Sequence, residues 1–226
     1  MATTGASGAP PILPDFGPSL PALVRRRFGV RERVTTAVAV VLAGVVAAVV
    51  LAAVLLTGPD HLTYRAGPTF NLQYEGDLLH RVAPKGDELV RLEAHRGALS
   101  ASITVSALSL PAYQGNVTSG LMPVFAHRFE DQLRSSTTGF VEHDEGSARV
   151  NDAQGYQLGF RSGPPGLPTW GRDILLVPRD EDVTEGVVLR LRQTKAGAFT
   201  KRDEGLLGRV RRAFKSFNFG TDRAEW

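Results

Sequence analysis

The sequence predicts an α+β domain, an antiparallel sheet with flanking helices, preceded by one transmembrane helix. Three observations lead there. The stretch from Val34 to Leu56 carries no charged side chain; six later runs alternate apolar and polar residues with a period of two; and two segments among those runs switch to helical spacing.

The elements follow in order. Residues 1–18, MATTGASGAPPILPDFGP, combine small residues with prolines and have no period, too little apolar surface to offset ordering entropy. Next, SLPALVRRRFGV places Leu20, Leu23, Val24 and Phe28 at near-helical spacing, with Ser19 positioned to cap and Pro21 in the first turn. It reads either as a short basic helix lying on the inner membrane face or as a plain tether.

From Val34 to Leu56 the run VTTAVAVVLAGVVAAVVLAAVLL has only Thr35 and Thr36 as polar side chains. At about 1.5 Å per residue such a helix spans roughly 34 Å, enough for a hydrocarbon core of about 30 Å. A secretory signal also sets basic residues before apolar ones, but its apolar core is shorter, about 7 to 15 residues, and ends at a small-residue cleavage site. The exit here is LLTGPD, so an uncleaved anchor is the expectation.

Charge gives the orientation. Residues 1–33 hold Arg25, Arg26, Arg27, Arg31 and Arg33 against Asp15 and Glu32, whereas residues 60–226 balance 21 basic with 21 acidic side chains. By the positive-inside rule the first 33 residues are cytoplasmic, and the five arginines are a topology signal that also meets anionic lipid headgroups. A nucleic-acid binder spreads basic residues and aromatics over a folded face; Phe28 is the only aromatic in this cluster, so nucleic acid is excluded as a partner. The organisation is therefore residues 1–33 as a cytoplasmic, Pro-rich arm, 34–57 as the span and 58–226 as an extracytoplasmic domain. Ala39, Ala43 and Ala47 lie along one helical row of the span and Gly44, Ala48 and Ala52 along the next. Such small residues four apart allow a homodimer through the membrane helix, although alanine is also simply a common apolar residue.

Beyond Gly58-Pro59 come the strand patterns. TFNLQY, ELVRLEAHR, SASITVSAL, YQLGF, DILLVPR and EGVVLRLRQT alternate and are bounded by Gly, Pro, Asn and Asp. TSGLMPVFAHRFEDQLRSS breaks the alternation: Leu121, Phe125, Phe129 and Leu133 recur every four residues, Thr118 or Ser119 is placed to cap, and Pro123 fits the first turn. TKRDEGLLGRVRRAFKSF sets Leu206, Leu207, Val210 and Phe214 on one face, acids in the first turn and bases in the last. The tail SFNF alternates again as a final short strand.

FNLQY after an extended lead, SASITVSALSL, a helix after a loop, GYQLGF, GRDILLVP, GVVLRLRQT and a terminal helix running into SFNF together resemble the PsbP-like, Ran-binding-Mog superfamily. More closely, they resemble its membrane-tethered or lipoprotein members outside actinobacterial cells. The resemblance covers about Thr63 to Gly220. It implies a PsbP/Mog-like antiparallel sheet with helices on its faces and a binding or assembly role with no shared active site, so no functional residue is carried over.

The residues themselves give little chemistry. No HExxH, G-x-S-x-G elbow, phosphate loop or dinucleotide fingerprint occurs. The absence of cysteine excludes thiol catalysis and thiolate metal sites, and His61, His80, His95, His127 and His143 have no pair at metal-ligand spacing. VEHDEG brings Glu142, Asp144 and Glu145 together, yet acids in such a stretch read as a solvated turn, and RDEDVTEG reads likewise. Arg209, Arg211, Arg212 and Lys215 read as the wet side of the last helix or as a surface for anionic lipid or polymer. No cofactor is expected and no catalysis.

The binding surface is placed on SGPPGLPTWGRD. Pro164, Pro165 and Pro168 restrict the loop in advance, and Trp170 offers an anchor for a partner, unless it begins the next strand and packs inward. The functional expectation is a single-pass membrane protein of a bacterial envelope whose external domain binds or scaffolds an unidentified envelope protein. The rival is a carrier or sensor that holds a small lipid or cell-wall fragment between sheet and helix.

Overall fold

The computed structural model describes residues 32–56, 58–179 and 184–221, with the side chains of the first segment described over 38–51. Arg25, Arg26, Arg27 and Arg31, the side chain of Arg33, and much of RDEDVTEG lie outside the described residues. The chain divides into two units, Met1–Thr57 and Gly58–Trp226.

In the first unit, helix α1 runs over Glu32–Leu56. The β-branched content of this stretch would disfavour a helix slightly in water, but no glycine pair, proline or polar cluster interrupts the 25 residues. Among the described residues no helix is long and apolar enough to cross a membrane. The fully described part of α1, residues 38–51, extends about 21 Å at a helical rise of about 1.5 Å per residue.

The described residues of the second unit form ten strands and two α-helices. A three-stranded antiparallel sheet forms from β1 (Asp60–Tyr64), β2 (Phe70–Tyr74) and β10 (Asn218–Phe219), in the order β1-β2-β10. A seven-stranded antiparallel sheet forms from β3 (His80–Val82), β4 (Glu88–Arg96), β5 (Leu99–Ser109), β6 (Val141–Val150), β7 (Ala153–Ser162), β8 (Thr169–Val177) and β9 (Glu185–Lys195). Its order is β3-β4-β5-β9-β8-β7-β6. The alternating runs fall in β2, β4, β5, β7, β8 and β9, with only Thr69, Pro178 and Arg179 beyond the strand ends, and the final short strand forms as expected.

Alternation gives the large sheet two different faces. On one, Val90 and Leu92 of β4, Ile103 and Val105 of β5, and Val187, Leu189 and Leu191 of β9 are buried together with helix α3 (Lys201–Lys215) and with Leu62, Phe70 and Leu72 of the small sheet. Helix α3 contributes Leu206, Leu207, Val210, Ala213 and Phe214, the stripe that its sequence spacing predicts. A capping box starts it: the Thr200 hydroxyl accepts from the Asp203 N–H, and the Asp203 carboxylate accepts from the Thr200 N–H at 2.8 Å. The second face carries helix α2 (Met122–Ser136) over Leu108, Leu175, Val177 and Val188.

Two expectations need correction. The cap before α2 is neither Thr118 nor Ser119: a π-turn, Val117–Leu121, precedes the helix, and Asn116 Oδ1 accepts from the Ser119 N–H at 2.9 Å. The buried row of α2 is Met122, Ala126 and Glu130. Phe125 and Phe129 flank it half-buried, because the four-residue row drifts around the helix and the contact stripe is wider than one row. Second, VEHDEG is no turn; it opens β6, a ten-residue edge strand with a register shift between Glu142 and Asp144. The strand is wet along most of its length, so selection for an apolar alternation is weak and an acidic, bulged edge results.

Candidate functional site

The loop after β7 is shorter than its sequence suggests. Ser162 ends β7 and Thr169 begins β8, leaving residues 163–168 as the connection. Gly163 and Gly166 take positive φ values of 95° and 87°, a conformation that costs glycine nothing. The Leu167 N–H closes a turn on the Pro164 carbonyl at 3.2 Å, and Gly163 N–H donates to the Thr138 carbonyl at 2.9 Å. Pro164 and Pro165 are exposed and Pro168 half-buried.

Trp170 is not part of that loop. It sits in β8 opposite Arg161 and Gln193, half-buried, with its ring centroid 4.8 Å from that of Phe199 and the Arg161 guanidinium 6.0 Å away over its face. It therefore belongs to the sheet face that α3 covers. Where α3 leaves that face, a cleft of about 340 Å³ opens, within the range of small-molecule sites. Strand β8 supplies Trp170, Gly171 and Arg172, β9 supplies Leu191 and Gln193, and α3 supplies Arg211, Phe214 and Lys215.

The cations of this cleft differ from their neighbours on the same helix. Arg209 is held by Glu75 and by both oxygens of Asp77 at 2.7 Å, and Arg212 reaches Glu75 at 3.1 Å. Hydrogen bonding from Arg209 holds the Asp77 carboxyl below its ordinary value. Among the described residues, no carboxylate lies within ion-pair distance of Arg211, Lys215 or Arg172. Arg172 donates instead to the Gln157 carboxamide, whose Nε2 donates to Asp144 at 2.8 Å. The basic helix face that looked uniform in sequence is thus divided into a neutralised half and a free half.

Gln193 completes the cleft. It continues the buried row Val187, Leu189, Leu191, is 5 % exposed, and makes no side-chain hydrogen bond among the described residues. Of the cleft residues, Trp170, Arg211 and Lys215 are the ones that the sequence singles out; a polar side chain interrupting an apolar alternation is the signal that could have found Gln193, and Arg172 and Leu191 carry none.

The remaining polar clusters are structural in geometry. On the α2 face Asp173, fully buried, is gripped by Arg192 through both carboxylate oxygens, the longer contact 2.9 Å, with Arg190 at 4.0 Å and bonded to Ser106. Glycine at 171 lets the Phe160 ring lie across β8, since a Cβ there would stand 2.3 Å from it; Arg192 stacks on that ring at 4.7 Å. Glu142 and Glu145 are paired with residues of the α2 face, whereas Asp144 bonds Gln157 on the other, so the strand separates the three acids that the sequence places together. Burial and the nearby Glu130 carboxylate push Glu142 up; burial, then Glu145 and Glu142, push Tyr156 up. Among the described residues no group of three His, Asp or Glu side chains is arranged to hold a metal. The five histidines are dispersed over β1, β3, β4, α2 and β6.

No protein-family model and no curated protein matches the chain. Solved structures do. The chain is similar to cyanobacterial PsbP from Synechocystis at 11 % identity over 73 % of this chain and 94 % of that one, with a TM-score of 0.49. It is similar to LpqN of Mycobacterium tuberculosis, described as involved in cell envelope biogenesis, at 14 % identity over 71 % and 91 % with a TM-score of 0.45. The Saccharomyces cerevisiae Ran-binding protein Mog1p follows at 12 % identity over 72 % and 95 %, TM-score 0.42. The role stated for each of these structures is that protein's own.

Proposed function

We propose that the chain is a single-pass, membrane-anchored binding or scaffold protein, its C-terminal unit extracytoplasmic and working without catalysis. One observation carries the anchor: from Val38 to Leu51, nine large apolar side chains of α1 are each more than half exposed. In water that much uncovered apolar surface on every side of one helix is strongly unfavourable, about 25 cal/mol per Å², whereas lipid is a solvent for it. Over its whole length α1 is about 37 Å long at the helical rise, sufficient for a bilayer core. The arginines before it orient the first 33 residues toward the cytoplasm.

Protease added to intact spheroplasts tests this reading. It is expected to digest the chain after Asp60 and to spare an epitope placed within residues 1–33. A protected C-terminal unit reverses the topology, and release of the whole protein by a high-salt or carbonate wash removes the anchor from the proposal.

The cleft favours a second reading, a carrier or sensor for a small envelope molecule lodged between sheet and helix. Mass spectrometry of the purified protein distinguishes the two. A stoichiometric co-purifying lipid or cell-wall fragment supports carriage, and a protein partner captured by surface cross-linking with an empty cleft supports the scaffold.

A further inference from the structure

We propose that the cleft between α3 and strands β8 and β9 binds a phosphate-bearing ligand with an apolar or aromatic body. The proposal rests on the carrier reading and adds what the carried molecule must be.

The charge argument comes first. Arg211 and Lys215 are four residues apart on α3, so their side chains share one face, and like charges at that spacing repel. Arg172 of β8 lines the same cleft. On the same helix Arg209 and Arg212 are neutralised by Glu75 and Asp77 from the segment after β2, yet Arg211, Lys215 and Arg172 have no carboxylate partner among the described residues. Arg172 is positioned by a neutral amide, Gln157, which fixes its direction without cancelling its charge. An anion entering here relieves repulsion that the protein itself leaves uncompensated.

The donor count selects phosphate over a single carboxylate. A phosphate monoester carries about −1.5 to −2 charges and three strong acceptor oxygens, which match two guanidinium groups and one ammonium. Gln193 adds an amide that has no side-chain partner among the described residues and whose polar atoms still reach solvent in the cleft, so its N–H groups can donate to a bound phosphate oxygen. The rest of the lining sets the other half of the ligand. Trp170, Phe214 and Leu191 form an apolar wall, and Trp170 is already braced by Phe199 on one side, so a flat or aliphatic body has a rigid surface to lie on. No carboxylate lines the cleft.

The test is calorimetric titration of the full-length protein in neutral detergent with four probes: phenyl phosphate, inorganic phosphate, benzyl alcohol and dihexanoyl phosphatidic acid. Saturable one-to-one binding of phenyl phosphate, about tenfold or more tighter than inorganic phosphate or benzyl alcohol, is expected. Arg211→Glu is expected to weaken it by about tenfold or more, and Lys215→Gln by a smaller factor; both residues are exposed, and the second variant stands in if the first does not fold. Tighter binding of dihexanoyl phosphatidic acid than of phenyl phosphate assigns the ligand to lipid, and the reverse order to a soluble phosphorylated compound; either supports the site. Equal binding of benzyl alcohol and phenyl phosphate, unaffected by Arg211→Glu, overturns the phosphate assignment while leaving carriage intact. Silence of all four probes overturns the proposal, and the co-purified-ligand experiment then judges carriage separately.

Discussion

The two faces of the seven-stranded sheet are made from alternate residues of the same strands, yet they are different materials. One face is dry outside its cleft: α3 and the three-stranded sheet seal Leu92, Ile103, Val105 and Leu189. The other is only partly covered by α2, and next to its small apolar cluster it carries Asp173, Arg190, Arg192, Thr104 and Ser106. The difference shows that burial alone does not decide polarity here. Asp173 and Ser106 are as buried as Leu189, but they are buried under arginine stems and aromatic rings that also carry hydrogen-bond donors, and so they remain polar.

The strongest way to break the dry face is Leu207→Asp. Leu207 is 4 % exposed and packs among the core residues, so the change buries an unpaired carboxylate at a cost of several kcal/mol, comparable with the stability of a whole domain. Loss of the cooperative thermal transition of the 58–226 unit is expected by circular dichroism. An unchanged transition would make α3 peripheral.

The matching change on the polar face is Asp173→Ala, which strands Arg190 and Arg192. Removing one partner of a fully buried pair costs about 3–5 kcal/mol. Both arginines keep part of their side chains in solvent, 20 % and 27 %, so about 2–4 kcal/mol is expected after discounting for screening, read from the urea midpoint. A loss below about 0.5 kcal/mol would mean that the face tolerates an open polar layer.

A smaller effect belongs to the start of α3. Thr200→Ala removes one half of the capping box and is expected to cost about 1 kcal/mol. The same box gives an acid dependence. Hydrogen bonding from Lys195, then from the Thr200 hydroxyl and N–H, holds the Asp203 carboxyl well below the usual carboxylate range. A carboxyl depressed in the folded state contributes stability that is complete above its unfolded value, about 4, and is lost as pH falls from there toward the folded value. Asp203→Asn is therefore expected to flatten the acid limb of a urea-midpoint against pH curve below about pH 4; an identical limb in both proteins would place the acid sensitivity elsewhere.

The smallest change separates the two halves of the basic helix. Arg209→Ala disrupts a part-exposed network with Glu75 and Asp77 and should cost about 0.5 kcal/mol, while binding of phenyl phosphate stays unaltered. Arg211→Ala should do the opposite, leaving the melting transition unmoved and weakening binding. If Arg209→Ala weakened binding as much as Arg211→Ala, the division between neutralised and free cations would be lost.

Sequence by itself determined whatever local periodicity records. The uncharged run within α1, the alternation of β5, β7 and β9, and the stripe Leu206, Leu207, Val210 and Phe214 are legible because each repeats at the period of its own element, with one side facing apolar neighbours. Short or wet elements left no such trace: β1 and β3 are too brief for a pattern, and β6 is an acidic edge exposed on both sides. The α2 stripe was legible in kind but rotated, since spacing defines a row and only the opposing surface defines the centre of contact. Tertiary structure alone decided which charges are free. Arg209 meets Glu75 across 134 positions of sequence, whereas Arg211, two residues on, meets no carboxylate among the described residues, and Trp170 moves from a loop to a strand face beside Phe199. Side-chain period is local, but neutralisation of a charge depends on a partner within about 4 Å, and that partner is brought there by the packing of the small sheet and α3 rather than by any pattern along the chain.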